Sequence, residues 1–163
     1  MKNNDFHIRT IQNNDNMMLA KTIRTVLSEY GISKAGTAAT DPATDDLFTT
    51  YQEIQSTYFV VESGNNILGG AGIHRLEGND TDVCELQKMY LLPVARGKGI
   101  GSLLMEKCLQ FAREQGYKQC YLETMPELKD AIRLYEKTGF YYLEGHLGNT
   151  GHYACGIWML KDL

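Results

Sequence analysis

Pro93-Val94-Ala95-Arg96-Gly97-Lys98-Gly99-Ile100-Gly101-Ser102 joins a run with strand character to a run with helix character. Before it, Val83–Leu92 (VCELQKMYLL) is a short, largely apolar stretch that ends at the proline. After it, Ile100, Leu103/Leu104, Cys108 and Phe111/Ala112 recur at helical spacing until Gly116 supplies a stop. Three alternate glycines free the backbone to turn and let successive N–H groups point at one spot. The helix start adds positive partial charge, and Arg96 and Lys98 add full charges, so the segment reads as a pyrophosphate cradle. Its spacing departs from two better-known cradles. A Walker A loop requires G-x-x-x-x-G-K-[ST] and a dinucleotide fingerprint requires G-x-G-x-x-G, whereas this chain has G-x-G-x-G.

Downstream, Tyr117–Glu123 reads as a strand, so Val83–Glu123 forms a strand–loop–helix–strand unit. Such a unit is a right-handed parallel crossover, and its ligands bind at the carboxyl ends of the strands. Pro126 then opens a short helix with Leu128, Ala131/Ile132 and Tyr135 inward, stopped by Gly139-Phe140. Two strands, around Phe140–Glu144 and His152–Lys161, finish the chain. Upstream, Thr57–Glu62 and Ile67–Leu76 flank the turn SGNN, a hairpin signal. Gly69-Gly70 with Gly72 indicates a bulge or a close backbone approach. Phe6–Gln12 is a first strand, and Asn14 or Asp15 caps a helix carrying Met18, Thr22/Ile23, Val26 and Tyr30, ended by Gly31. Asp41 and Pro42 read as N-cap and first residue of a second helix, with Leu47, Tyr51 and Ile54 on its apolar face. The order is β-α-α-β-β-β-α-β-α-β-β, without repeats or linkers, which predicts a single mixed α/β domain over residues 1–163.

The bulk numbers agree. Apolar residues make up 43% and charged residues 22% of 163, an ordinary globular balance that excludes disordered and fibrous classes. A net charge of −4 and a pI near 5.5 argue against nucleic acid or an anionic membrane as partner. Cys84, Cys108, Cys120 and Cys155 form no C-x-x-C pair and no histidine cluster has zinc spacing, so reduced core thiols and no metal are expected. MKNNDFHIRT lacks the apolar core of a signal peptide, and no run approaches the roughly 20 apolar residues of a membrane span. A cytoplasmic protein is the expectation.

The run KMYLLPVARGKGIGSLLMEKCLQFA resembles the acetyl-CoA motif of the GNAT superfamily, with R-G-x-G-x-G after a strand and a proline. AIRLYEKTGF resembles that family's next helix and the Gly-Phe that opens the following strand. The resemblance covers Thr57 to Phe140 and implies a GNAT-like α/β domain, a mixed central sheet flanked by helices. It implies an N-acetyltransferase that passes the acetyl group of acetyl-CoA directly to a primary amine of a small molecule or peptide, in a ternary complex. Pantetheine would bond to backbone groups of Met89, Tyr90 and Leu91, and Arg96, Gly97, Lys98, Gly99, Ile100, Gly101 and Ser102 would hold the pyrophosphate. A backbone N–H near Leu91 would polarise the thioester carbonyl.

An alkylamine is almost fully protonated at pH 7, so a base is useful. Glu85 matches the catalytic glutamate of histone-acetylating members, and Glu123 is the reserve candidate. Tyr135 matches the tyrosine that protonates the departing thiolate. His152 is a candidate lining residue of the acceptor pocket. One departure stands out: many members carry Asn where this chain has Leu128, so a contact near the cofactor is missing or taken over, with Thr124 as the candidate. The resemblance also allows a homodimer. The competing reading is a GNAT-fold module that binds acyl-CoA without transfer, as a sensor or partner subunit. Retention of both Glu85 and Tyr135 counts against it.

Overall fold

The structure, a computed structural model, describes residues 5–79 and 82–163. Met1–Asn4, part of the stretch read for a leader segment, lie outside the described residues. The chain runs β1 (His7–Thr10), α1 (Asn16–Glu29), α2 (Leu47–Thr50), β2 (Thr57–Ser63), β3 (Asn66–Arg75) and β4 (Val83–Leu91). It continues with α3 (Ile100–Glu114), β5 (Gln119–Thr124), α4 (Lys129–Thr138), β6 (Tyr141–Tyr142) and β7 (Ile157–Asp162). All seven strands join one sheet in the order β1-β2-β3-β4-β5-β7-β6. The β4–β5 pair is parallel and its neighbours are antiparallel, so the sheet is mixed as expected.

Helices cover both faces because the strands alternate apolar residues between two cores. Val61, Ile73 and Leu86 point to one face and meet Leu104, Cys108 and Ala112 of α3. Tyr58 and Val60 point to the other and meet Leu19, Ile23 and Leu27 of α1. Full burial of a leucine such as Leu104 contributes about 1.5–3 kcal/mol, so the helical stripes fix each helix to its face. The stop at Gly139 is the one the sequence indicates. Gly139 adopts φ 102°, its N–H donates to Glu136 and that of Phe140 to Tyr135, and Phe140 packs on Tyr135 at 6.0 Å.

Four expectations need correction. The second helix is broken: Asp41 does cap, accepting from Ala43 N–H at 2.9 Å, but only a 3-10 turn over Pro42–Asp45 follows. Asp46 then leaves helical geometry and its carboxylate accepts from Thr49 N–H, which restarts the chain as the single turn of α2, and Ile54 ends 77% exposed. Asp15 holds the N-cap position of α1 but makes no side-chain cap bond there; its carboxylate takes both guanidinium nitrogens of Arg9 and the Gln12 N–H, and Met18 is exposed while Leu19 takes the buried place. The helix expected from Pro126 begins at Lys129, after a turn closed by Leu128 N–H on Met125 O. The strand expected from His152 begins at Ile157, and the last hairpin keeps only Tyr141–Tyr142 of Phe140–Glu144.

Candidate active site

Two departures from regular pairing build the site. The first is a bulge in β4. Gly72 faces Gln87 and Gly70 faces Tyr90, so β4 carries one residue more than β3 between those pairs. Lys88 absorbs it in a left-handed conformation, φ 50°, which costs a residue with a Cβ about 1–2 kcal/mol. The glycine cluster that signalled a bulge is needed here: a Cβ on Gly69 would stand 2.1 Å from Tyr90 O. The second departure is the parting of β4 and β5. They pair only at Val83–Gln119, Cys84–Cys120 and Glu85–Tyr121, and beyond Glu85 the two strands diverge.

A cavity of about 250 Å³ opens beside the parted end of β4. Met89, Tyr90 and Leu91 form one wall, Arg96, Gly97, Gly99, Gly101 and Ser102 a second, and Ala131, Leu134 and Tyr135 a third. Gly97 (φ 71°) and Gly99 (φ 77°) make the turn into α3, and the first bond of that helix runs from Leu103 N–H to Gly99 O. The N–H groups of Ile100, Gly101 and Ser102 are left for an anion. The residues therefore fit a pyrophosphate. Three side chains stand differently from the expectation. Lys98 and Ile100 line a neighbouring groove with Phe6 and Val94, and Ile100 is buried in the core, so its offer to the cradle is its N–H. Arg96 is engaged: its guanidinium donates to both oxygens of Glu29 at 2.7 and 3.0 Å and to Leu91 O at 2.9 Å, and lies over the Tyr30 ring.

Behind this cavity, in the gap between the parted strands, lies a smaller one of about 40 Å³. Successive residues of both strands line it, Glu85 to Lys88 from β4 and Glu123 to Met125 around the end of β5. Glu85 is 3% exposed. Its Oε1 accepts from Gln87 Nε2 at 2.5 Å, and the Gln87 amide is oriented in turn by Tyr51 OH, 2.7 Å from its Oε1. Its Oε2 has no partner among the described residues. Burial pushes the Glu85 carboxyl up to about 7; the Gln87 hydrogen bond opposes the shift and the Glu123 charge adds to it. Glu123 differs. Tyr121 OH and Thr150 OH each donate to it at 2.7 Å, so both its oxygens are occupied.

Sequence reasoning missed the charged group at the mouth of this gap. Asp41 Oδ2 accepts from Lys88 Nζ at 2.7 Å and stands 3.0 Å from His152 Nε2. The His152 hydrogen bond, with the Lys88 charge, holds Asp41 well below the usual carboxylate range against the opposing effect of burial. His152 was singled out and does line the gap, but its partner is 111 residues away and nothing in the sequence connects them. Gln87 was legible in principle, since strand alternation puts it on the same side as Glu85. Tyr135 is buried against the larger cavity, and burial raises its phenol well above its ordinary value, so it stays protonated throughout the neutral range. Cys84, Cys108 and Cys120 are buried free thiols, and burial pushes Cys155 up to about 12. Away from the site, His74, Glu53 and Glu77 gather ligand atoms within 4.8 Å of one another, with His74 and Glu53 paired at 3.0 Å. No helix among the described residues is long and apolar enough to cross a membrane.

Comparison with known proteins matches this arrangement. The model of the acetyltransferase (GNAT) family matches residues 24–140, from α1 through the glycine loop to the end of α4. The uncharacterized N-acetyltransferase YjgM of Escherichia coli K12 is 44% identical over 157 residues, 96% of this chain and 94% of that protein. N-acetyltransferase 8F1 of Rattus norvegicus is 34% identical over 98 residues, 58% of this chain and 44% of its own length. Among solved structures, a GNAT-family acetyltransferase from Staphylococcus aureus Mu50 superposes with a TM-score of 0.84 at 21% identity, covering 96% of this chain and 98% of that one. The PaiA N-acetyltransferase of Thermoplasma acidophilum, solved with coenzyme A, superposes at 0.74 with 15% identity, covering 98% and 99%. With the family's model spanning its loop, crossover and site helix, this chain belongs to the GNAT family and is an acetyl-CoA-dependent N-acetyltransferase.

Proposed function

We propose that the protein transfers the acetyl group of acetyl-CoA directly to a primary amine of a small molecule or peptide, both substrates being bound together. Acetyl-CoA supplies an activated acyl carbon with a good leaving group. The chain's part is to position, deprotonate and reprotonate. The free N–H groups at the start of α3 and the turn at Gly97 and Gly99 hold the pyrophosphate. The bulged segment Met89–Leu91 offers its unpaired edge to the pantetheine, in the place where β5 has parted from β4. Glu85 takes a proton from the amine, which then attacks as the neutral species. Tyr135 gives a proton to the sulfur that leaves.

One observation carries this reading. A buried carboxyl poised near neutrality keeps one oxygen unpartnered in the gap just behind the larger cavity. The same geometry favours Glu85 over Glu123, because the Glu123 oxygens are already taken. Titration calorimetry with acetyl-CoA, against ATP and NAD as controls, followed by a screen of amines for CoA release, tests the reading. Micromolar binding of acetyl-CoA alone and amine-dependent CoA release are expected. Binding without release by any amine would refute transfer and favour an acyl-CoA sensor. No binding by the folded protein would refute the cradle itself.

A further inference from the structure

A chain of two hydrogen bonds ties Glu85 to the restarted turn of α2. Tyr51 follows that turn, its N–H donating to Leu47 O at 3.0 Å. It is buried, and its ring lies on the face of β3 that carries Gly72 and His74: a Cβ on Gly72 would stand 2.7 Å from the ring, and His74 meets it edge-on at 6.0 Å. Gly72 and His74 pair with Gln87 and Glu85 of β4, so all four share one face of the sheet with the phenol. The Tyr51 hydroxyl donates to Gln87 Oε1 at 2.7 Å, and Gln87 Nε2 donates to Glu85 Oε1 at 2.5 Å. Glu85 Oε2 is left as the carboxylate oxygen without a partner among the described residues. The proposed chemistry uses Glu85 but gives Tyr51 and Gln87 no part.

We propose that Tyr51, acting through Gln87, is a positioning residue for the base: it keeps the NH2 end of the Gln87 amide turned to Glu85, which favours the ionised carboxylate and engages Oε1, so that Oε2 is the oxygen that meets the amine. The proposal rests on the transferase reading above for what Glu85 does. An amide has a donor end and an acceptor end, so it can face Glu85 in two ways. With its NH2 toward Glu85 it stabilises the carboxylate; with its carbonyl toward Glu85 it accepts from the protonated carboxyl and stabilises that form instead. Tyr51 decides between them. Gln87 is the one hydrogen-bond partner of its hydroxyl among the described residues. Burial raises this phenol well above its ordinary value, so it keeps its hydrogen to donate. Turning the amide round would leave that hydrogen buried without an acceptor, which is the costly arrangement. The other titratable groups around Glu85 and Tyr51 have partners of their own. Lys88 and His152 are held by Asp41, Glu123 by Tyr121 and Thr150, and His74 by Glu53. The Tyr58 hydroxyl donates to Lys88 O. Burial pushes the Cys108 and Cys155 thiols up, and the Cys84 contact with burial does the same to Cys120, so all three stay neutral.

The test reads the Glu85 carboxyl in the protein without added ligand. Infrared difference spectra from about pH 4.5 to 10 follow the carbonyl stretch of the protonated carboxyl, assigned by its loss in Glu85→Gln. Tyr51→Phe removes the hydroxyl and keeps the ring, which packs on that of Tyr58 at 5.1 Å. The titration midpoint is expected to rise by about one pH unit, the net contribution of one hydrogen bond. Gln87→Met is expected to raise it by about one to two pH units, since a bond to a charged group is lost. The double variant is expected to match Gln87→Met within about 0.3 unit, because Tyr51 then has no route to the carboxyl. An unmoved midpoint in folded Tyr51→Phe or Gln87→Met would overturn the positioning role. So would a Tyr51→Phe shift that persists in full beside Gln87→Met. In turnover, the acidic limb of kcat/KM for 2-phenylethylamine is expected to move with the midpoint in each variant. Failure of the transferase reading looks different: the midpoints would move as stated while the parent acetylates no amine, or while the acidic limb stays where it is.

Discussion

Replacing Glu85 by Gln tests electrostatics and chemistry with one change. Burial holds this carboxyl at about 7, against 4.5 for an unperturbed one. A pH unit is worth about 1.4 kcal/mol, so keeping the group ionised in the folded chain costs about 3 kcal/mol at pH 8.5. The fold favours the protonated form. Its contribution to stability is therefore fully present below pH 4.5 and is lost as pH rises through about 7. Glutamine copies the neutral form at every pH and can still accept from Gln87. The variant and the parent are expected to melt together near pH 4.5. At pH 8.5 the variant melts higher, by on the order of 10 °C at about 2–4 °C per kcal/mol for a domain of this size. Thermal unfolding followed from pH 4.5 to 8.5 reads the difference. In the same range kcat/KM of the parent rises through about pH 7 as the base loses its proton, and the variant loses that limb with a rate about 10²–10⁴ lower. A melting difference that does not vary with pH would refute the buried, neutral-poised carboxyl. A variant that keeps the acidic limb would move the base elsewhere.

Gly99→Val forces a β-branched residue to φ 77°, and acetyl-CoA affinity by calorimetry is expected to fall at least tenfold; an unchanged affinity in folded protein would refute the cradle. Tyr135→Phe keeps the ring against Phe140 and removes the proton donor, so kcat is expected to drop about 3–30-fold while acetyl-CoA affinity stays within twofold. Asp41→Asn leaves the Lys88 ammonium buried without its counter-charge and is expected to destabilise by about 3–5 kcal/mol. Adding Lys88→Met is expected to recover most of that loss in denaturant melts, and strictly additive losses would show that the pair is not coupled.

The loop at Arg96–Ser102 was legible because glycine spacing, a preceding strand and a following amphipathic helix all bear on a few adjacent residues. The helix stop at Gly139 and the glycine-rich stretch at Gly69–Gly72 were readable for the same local reason. The Asp41–Lys88–His152 group was not, because its three members meet only through tertiary packing. Lys88 illustrates the difficulty. On pattern it is a strand lysine bound for solvent, yet the bulge turns it into the protein, where its side chain is 3% exposed. The broken second helix turned on Asp46, whose side chain competes for the backbone in mid-run, a choice that propensity leaves open. On the sequence Glu85 is the first candidate base and Glu123 the reserve, on resemblance alone. What separates them is the hydroxyl pair from Tyr121 and Thr150, one of them from a segment without regular structure.

The parting of β4 and β5 also has a mechanical side. Strands β1–β4 form one leaf and β5–β7 another, and among the described residues the leaves are bound along Val83–Glu85 and the turn next to it. The rest of their shared margin is open like the fore-edge of a book. A molecule that hydrogen-bonds to both margins acts as a clasp, and the force needed to pry the leaves apart rises when it is in place. The backbone groups withheld from pairing are thus also where the sheet is held least, so the unjoined margin is where the two leaves can give.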